Sequence, residues 1–165
     1  MDEEKKHKII LSVIEKLTEE RGRIEASLKA ARQAAVDAPG AMQSHSDTTK
    51  FQMGILADNI AKTLEDKKLA IQELTMFAGR RAYHTSSVNI KLGSLVHVKT
   101  NDGEIKLYFI LPAGSGTEIM DENRHFFVIG PSAPIAAVLL GKSEGDTVTL
   151  RLPAKTNMFF IEKVE

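Results

Sequence analysis

The 165-residue chain has no cysteine and no tryptophan, only five prolines, and aromatic side chains at 5% of its positions. Without cysteine it can form neither a disulfide nor a thiolate metal site, a composition that suits a reducing compartment. An excess of one charge is also missing, since 22 Lys and Arg balance 22 Asp and Glu. A chain without net charge offers no electrostatic footprint for nucleic acid or for an anionic membrane surface, so any contact with RNA must be indirect. No apolar run approaches the roughly 18 residues needed to span a bilayer. The opening MDEEKKHK leads into a periodic helix, not into an apolar signal core. The expectation is a cytoplasmic protein with no membrane contact.

What the chain does have is a mirror. Ile10, Ile14, Leu17, Ile24, Leu28 and Ala31 recur at three-, four- and seven-residue steps, and Ala57, Ile60, Leu64, Ile71, Leu74 and Ala78 repeat the pattern later. Folding the chain back at Ser44 pairs Ile10 with Ala78, Ile14 with Leu74, Leu17 with Ile71, Ile24 with Leu64, Leu28 with Ile60 and Ala31 with Ala57. One fold point puts six seam positions in register, which predicts an antiparallel helical hairpin over residues 1–79 with its tip at about 37–51. At about 1.5 Å per residue each arm would be on the order of 45–50 Å long. Arg21 and Lys67 fall in the same register, so two cations meet at mid-seam and are expected to turn outward toward Glu20 and Glu65. Alanines 30, 31, 34 and 35 would let the arms approach closely near the tip, where Phe51 and Ile55 are expected to complete the seam.

At the tip, Pro39-Gly40 stops the first helix, and Ser44-His45-Ser46-Asp47 has the S-x-x-D form of a helix start. Asp37 and Asp47 flank this turn. Two carboxylates there could share a hard divalent cation such as magnesium, which takes a few carboxylate oxygens and keeps water elsewhere. Equally, Asp47 could serve only as a cap offsetting the helix dipole, with Asp37 solvated. The five histidines show no ligand spacing.

After Gly79-Arg80-Arg81 the apolar period changes to two. SLVHVKT and EIKLYFIL alternate around Asn101-Asp102-Gly103, a hairpin turn signal. HFFVIG, TVTLRL and MFFIEKV add three strands, and PSAPIAAVLLGKSEGD reads as a short helix capped around Ser132 and stopped at Gly141. Residues 80–165 are therefore expected to form a mostly antiparallel sheet with one helix, making the whole chain α+β. Gly114-Ser115-Gly116 lacks the helix and lysine of a phosphate loop, and Asp121-Glu122 reads as a solvated loop. The serines and histidines show no triad spacing, so no enzyme active site is expected.

The run IGPSAPIAAVLLGKSEGDTVTLRLP resembles the C-terminal domain of the bacterial Gre transcript-cleavage factors, whose pattern there is S-P-(small/basic)-A-L-x-G-K-x-x-G-D followed by a strand. LGSLVHVKTNDGE resembles their first hairpin, and the helical hairpin resembles their other half. The resemblance covers nearly the whole chain. It implies an FKBP-like C-terminal domain that docks at the mouth of the RNA polymerase secondary channel, and a coiled coil that reaches down it. In that family acidic tip residues help the polymerase hold a second magnesium ion and cleave backtracked RNA.

The family's tip reads G-D-L-S-E-N-A-E-Y. Aligned on the serine and the aromatic, this chain has Gln43, Ser44, His45, Ser46, Asp47, Thr48, Thr49, Lys50 and Phe51. The serine is kept as Ser46 and one acid as Asp47, while Ser44 and Lys50 stand where the family has acids. One carboxylate holds a cation more weakly than two, and a nearby ammonium opposes it. The resemblance thus implies a monomeric polymerase-binding regulator with weak or absent stimulation of cleavage, and no cofactor of its own beyond a magnesium shared with polymerase through Asp47. Asp37, Ser44 and Ser46 are further tip candidates. Ser132, Ala133 and Pro134 match the family's docking loop in outline, with Pro134 also suited to a helix's first turn. Two other readings are a chaperone or peptidyl-prolyl isomerase, for which the chain has few aromatics, and a dimeric coiled-coil adaptor, against which the mirror register argues.

Overall fold

The 3.6-residue and two-residue periods become two long helices and one sheet in a computed structural model. It describes residues 1–37, 47–80, 89–121, 124–153 and 155–165, with the side chains of 47–49, 152 and 155 also outside the description. Helix α1 runs Glu3–Asp37 and helix α2 runs Asp47–Arg80. Packing divides the chain into two compact units, one of Lys16–Ile71 and one of Met1–Glu15 with Gln72–Glu165.

Within Lys16–Ile71, Leu28, Ala31, Ala57 and Leu64 form a buried cluster with Ile24, Ile60 and Ala61 against it. All six residues of the three tip-side register pairs fall in this cluster, so the seam there is the one the periodicity predicts. Its middle is polar. Lys67 Nζ donates to Glu20 Oε2 at 2.8 Å, whereas Arg21 turns along its own helix toward Glu25 at 3.7 Å, and Glu65 pairs with Lys68.

Nearer the tip the seam departs from expectation. Phe51 is 69% exposed and Ile55 47% exposed. Stepping back from Ala57 by three and four residues reaches Gly54 and Met53, both half-buried, so Phe51 and Ile55 lie on the other side of α2. Of the four alanines only Ala31 is buried on the seam, while Ala30 and Ala34 face solvent.

The other unit holds a six-stranded sheet: β1 (Leu95–Thr100), β2 (Ile105–Ile110), β3 (Glu118–Asp121), β4 (Arg124–Ile129), β5 (Thr147–Leu152) and β6 (Lys155–Val164). Its order is β3-β4-β2-β1-β6-β5. Every pairing is antiparallel except β2 with β4, which is parallel, so the sheet is mixed. The cause is β3. Asp121, expected with Glu122 in a solvated loop, instead ends the edge strand EIMD, antiparallel to β4, while Glu122 lies outside the described residues. The excursion through β3 returns β4 beside β2 in the same direction. Gly103, at φ +80°, closes the β1–β2 hairpin in the left-handed conformation that glycine adopts without a Cβ clash.

Helix α3 (Pro134–Leu139) packs on one face of this sheet, where Ala136 and Leu139 join Val96, Ile110, Val148 and Ile161. Leu95, Phe109 and Phe126, which alternate with that set, are fully buried on the opposite face. The base of the hairpin belongs to the same unit. Ile10, Leu74 and Ala78 of the predicted seam are buried, and so are Ile9 and Val13 beside it. A helix buries so wide an arc when it has more than one neighbour to cover.

A polar network also links the start of α1 to the sheet. Lys6, with no exposed surface, donates from Nζ to the Gly93 carbonyl at 3.2 Å. The Glu165 carboxylate pairs with the Met1 amine at 2.9 Å and with Lys163, and lies 3.8 Å from His97 Nε2. Burial lowers the Lys6 pKa to about 8, with Glu165 and Glu3 pulling the other way. For Glu165 burial acts upward, but the hydrogen bonds from Lys163 and the Met1 amine outweigh it and hold the pKa at about 2.

Candidate functional site

Three places in the fold present chemistry to the outside. The first is the tip. Ser44, Ser46 and the rest of 38–46 lie outside the described residues, as does the side chain of Asp47, whose backbone opens α2. Asp37 ends α1, where it is exposed and accepts a hydrogen bond on Oδ1 from Gln33 Nε2 at 2.9 Å. No basic residue occupies the last turn of α1. The carboxylate therefore adds to the negative end of the helix dipole instead of offsetting it, an arrangement that favours a cation from outside. Around it the flanks are apolar and open: Val36 is 74% exposed, and Phe51 is the exposed counterpart on α2.

The second place is the loop before α3. Ala133, not Ser132, is the N-cap; its backbone is extended at φ −67°, ψ 135°, and no side chain caps the helix. Pro134 takes the first helical position, where its missing N–H costs no hydrogen bond and its φ is already helical. This removes the need for a serine cap and leaves Ser132 and Pro134 exposed. The loop is held by Ala133 N–H donating to the Gly130 carbonyl at 3.0 Å. Beside it runs the Gly114-Ser115-Gly116 turn, whose Ser115 Cβ would lie 3.5 Å from a Cβ added at Gly130. Ser132, Ala133 and Pro134 thus form one short, backbone-fixed edge.

The third is a cleft the sequence reading did not single out. The β1–β2 turn, strand β2, the start of α3 and strand β6 enclose a cavity of about 320 Å³. Tyr108, Ile135, Leu150 and Phe159 give it apolar surface, and Asn101, Asp102, Glu104, Lys106 and Asn157 are polar. Lys106 pairs with Glu104 at 3.4 Å. Burial raises the Tyr108 pKa, so its hydroxyl stays protonated. The turn motif had placed Asn101-Asp102-Gly103, and alternation along IKLYFI sets Lys106, Tyr108 and Ile110 on one face. The cleft needs α3 and β6 as well, and no local pattern joins those.

Among the described residues there is no group of three or more His, Asp or Glu able to hold a metal ion, and no helix long and apolar enough to cross a membrane. The class that emerges is an α+β protein in which a long two-helix hairpin precedes a mixed sheet with one packed helix.

Residues 85–165 match the family model for the C-terminal domain of the transcription elongation factors GreA and GreB. Through that domain the chain belongs to the Gre-type transcription elongation factor family. Three solved structures are similar to it along most of its length. The GreA factor homolog 1 (Gfh1) protein of Thermus thermophilus is 16% identical, with 92% of this chain and 94% of that chain covered and a TM-score of 0.36. A structure of the transcription factor Gfh1 is 21% identical at TM-score 0.39, and Thermus aquaticus Gfh1 is 17% identical at 0.39, each covering 92% of both chains. No curated protein matches the sequence.

Proposed function

We propose that this Gre-type factor binds RNA polymerase at its secondary channel, in the cytoplasm and as a monomer, and regulates elongation with weak or absent stimulation of transcript cleavage. The observation that carries the reading is the residue set at the tip. Asp47 is the one acid between 38 and 51, with Ser44 and Lys50 at the two other positions where the family has acids. A lone carboxylate with an ammonium three residues further along the sequence attracts a divalent ion far less than two or three carboxylates do. Asp37, at the exposed end of α1 with Gln33 on one oxygen, adds at most a single further carboxylate. These donors do not suit a resident magnesium, and the chemistry of cleavage, which needs an ion to activate water and steady the leaving oxygen, is left to polymerase. In this reading contact with nascent RNA is indirect, Ser132, Ala133 and Pro134 supply the docking edge, and the protein is not itself an enzyme. The polar character of the cleft beneath α3 gives no support to a peptidyl-prolyl isomerase.

The test is a backtracked elongation complex of the host polymerase, scored for binding and for magnesium-dependent RNA shortening. The expected result is binding with shortening close to that of polymerase alone, and a rise in shortening for Ser44→Asp combined with Lys50→Glu. Strong shortening by the unaltered protein that Asp47→Ala abolishes would overturn the regulatory reading, and absence of binding would overturn both halves of it.

A further inference from the structure

We infer that the cleft between the β1–β2 turn and α3 is a recognition pocket for a guanidinium group, filled by an arginine side chain of a partner polypeptide. Four observations converge on that chemistry. The cavity, about 320 Å³, lies at the lower end of the range for small-ligand sites and suits one long side chain better than a nucleotide-sized cofactor. Its charge is acidic on balance, from Asp102 and Glu104 against Lys106 alone. That lysine is held by Glu104 at 3.4 Å, whereas Asp102 has no hydrogen bond or ion pair among the described residues. The exposed Asp102 carboxylate is therefore available to an incoming cation.

The walls decide which cation. Tyr108 and Phe159 bring ring surface, and Ile135 and Leu150 bring aliphatic surface. A guanidinium is planar and weakly hydrated, stacks on aromatic rings, and carries five N–H donors for carboxylate and amide oxygens. Asp102, with the side-chain carbonyls of Asn101 and Asn157, offers such acceptors in the lining. A lysine ammonium has neither the plane nor the fork and keeps its water more strongly. An anion would meet two carboxylates. The arginine is assigned to a polypeptide because a cavity of about 320 Å³ takes a single long side chain, and Asn101, Asp102 and Glu104 of its lining stand on an exposed turn that a partner chain can reach. The inference concerns a surface of the sheet domain, and its outcome is independent of what the hairpin tip does.

The experiment is a titration of the full-length ¹⁵N-labelled protein, followed by amide chemical shifts. The probes are Nα-acetyl-arginine-N′-methylamide, its uncharged citrulline isostere, its lysine counterpart, and agmatine as a free small-molecule guanidinium. The arginine probe is expected to shift the amides of 100–106, Ile135 and Asn157 saturably, with the citrulline and lysine probes at least about tenfold weaker. Asp102→Asn, which removes the charge from an exposed turn without altering its shape, is expected to weaken the arginine probe by about tenfold. Equal binding of arginine and citrulline, indifference to Asp102→Asn, or shifts centred elsewhere would overturn the pocket. Agmatine binding more tightly than the capped arginine would overturn the polypeptide source.

Discussion

The Lys6 ammonium, wholly buried, donates to the carbonyl of Gly93, 87 positions further along the chain. This bond ties the first turns of α1 to the sheet through a charge taken out of water. Its pKa of about 8, against an ordinary 10.5, sets a pH signature. Between those values the unfolded chain holds the proton that the folded chain has released, so stability rises with pH across that window and the gain is lost as pH falls through 8. Lys6→Met is expected to remove this slope and to raise stability near pH 7 by about 1–2 kcal/mol, the relieved desolvation outweighing one lost hydrogen bond. Urea unfolding at pH 7.5 and at pH 10 checks both.

Glu165 gives the opposite limb. Its carboxyl is held at about 2 against 4.5, so its contribution is complete above 4.5 and disappears as pH falls toward 2. Glu165→Gln should cost about 2–3 kcal/mol at pH 7, because it leaves the buried Lys6 and the Lys163 ammonium less well matched. It should also flatten the acid side of the stability profile, measured by denaturant midpoints from pH 6 to pH 3.

The hairpin seam is testable by truncation. Leu28 and Leu64 are 7% and 8% exposed, and Leu→Ala at either is expected to cost about 2–4 kcal/mol from lost burial and the cavity left behind. Because Lys16–Ile71 is a compact unit of its own, amide exchange should accelerate across that unit while the amides of β1 and β6 keep their protection.

Two glycines should respond with opposite sign. Gly103 needs its positive φ, so Gly103→Val is expected to cost about 1–2 kcal/mol. Gly22 lies inside α1 with no atom within 4 Å of an added Cβ. Gly22→Ala should therefore stabilise by about 0.5–1 kcal/mol through helix propensity. Thermal midpoints of the two variants give the comparison directly.

These residues also show how much of the fold could be read from the chain. The seam from Ile24 to Ala57 was legible because a 3.6-residue period with one fold point constrains both helices at once. Phe51 and Ile55 misled because apolar character was taken for position, although the steps back from Ala57 lead to Met53 and Gly54. Strand β3 was illegible for a plain reason: among EIMD only Ile119 is buried, too little alternation to mark a strand, and the parallel β2–β4 pair follows from it. Ser132 looked like a cap, yet Pro134 at the first helical position made one unnecessary. The Gre-type pattern in 129–153 was the most specific signal for function, while the cleft under α3, assembled from distant segments, left no trace in any short window.

The sheet order carries a consequence for how the protein is made. Among the described residues strand β5 has β6 as its only partner, and β1 is an edge until β6 fills the place between them. A ribosome must therefore release residues 155–164 before this sheet can close, whereas every contact of the unit Lys16–Ile71 is within reach once Ile71 has emerged. During synthesis the distal hairpin can be complete while Lys6 still waits for its acceptor at Gly93. Stalling translation just short of β6 would yield a nascent chain with a finished hairpin and a β1 that is paired with β2 on one side and open on the other.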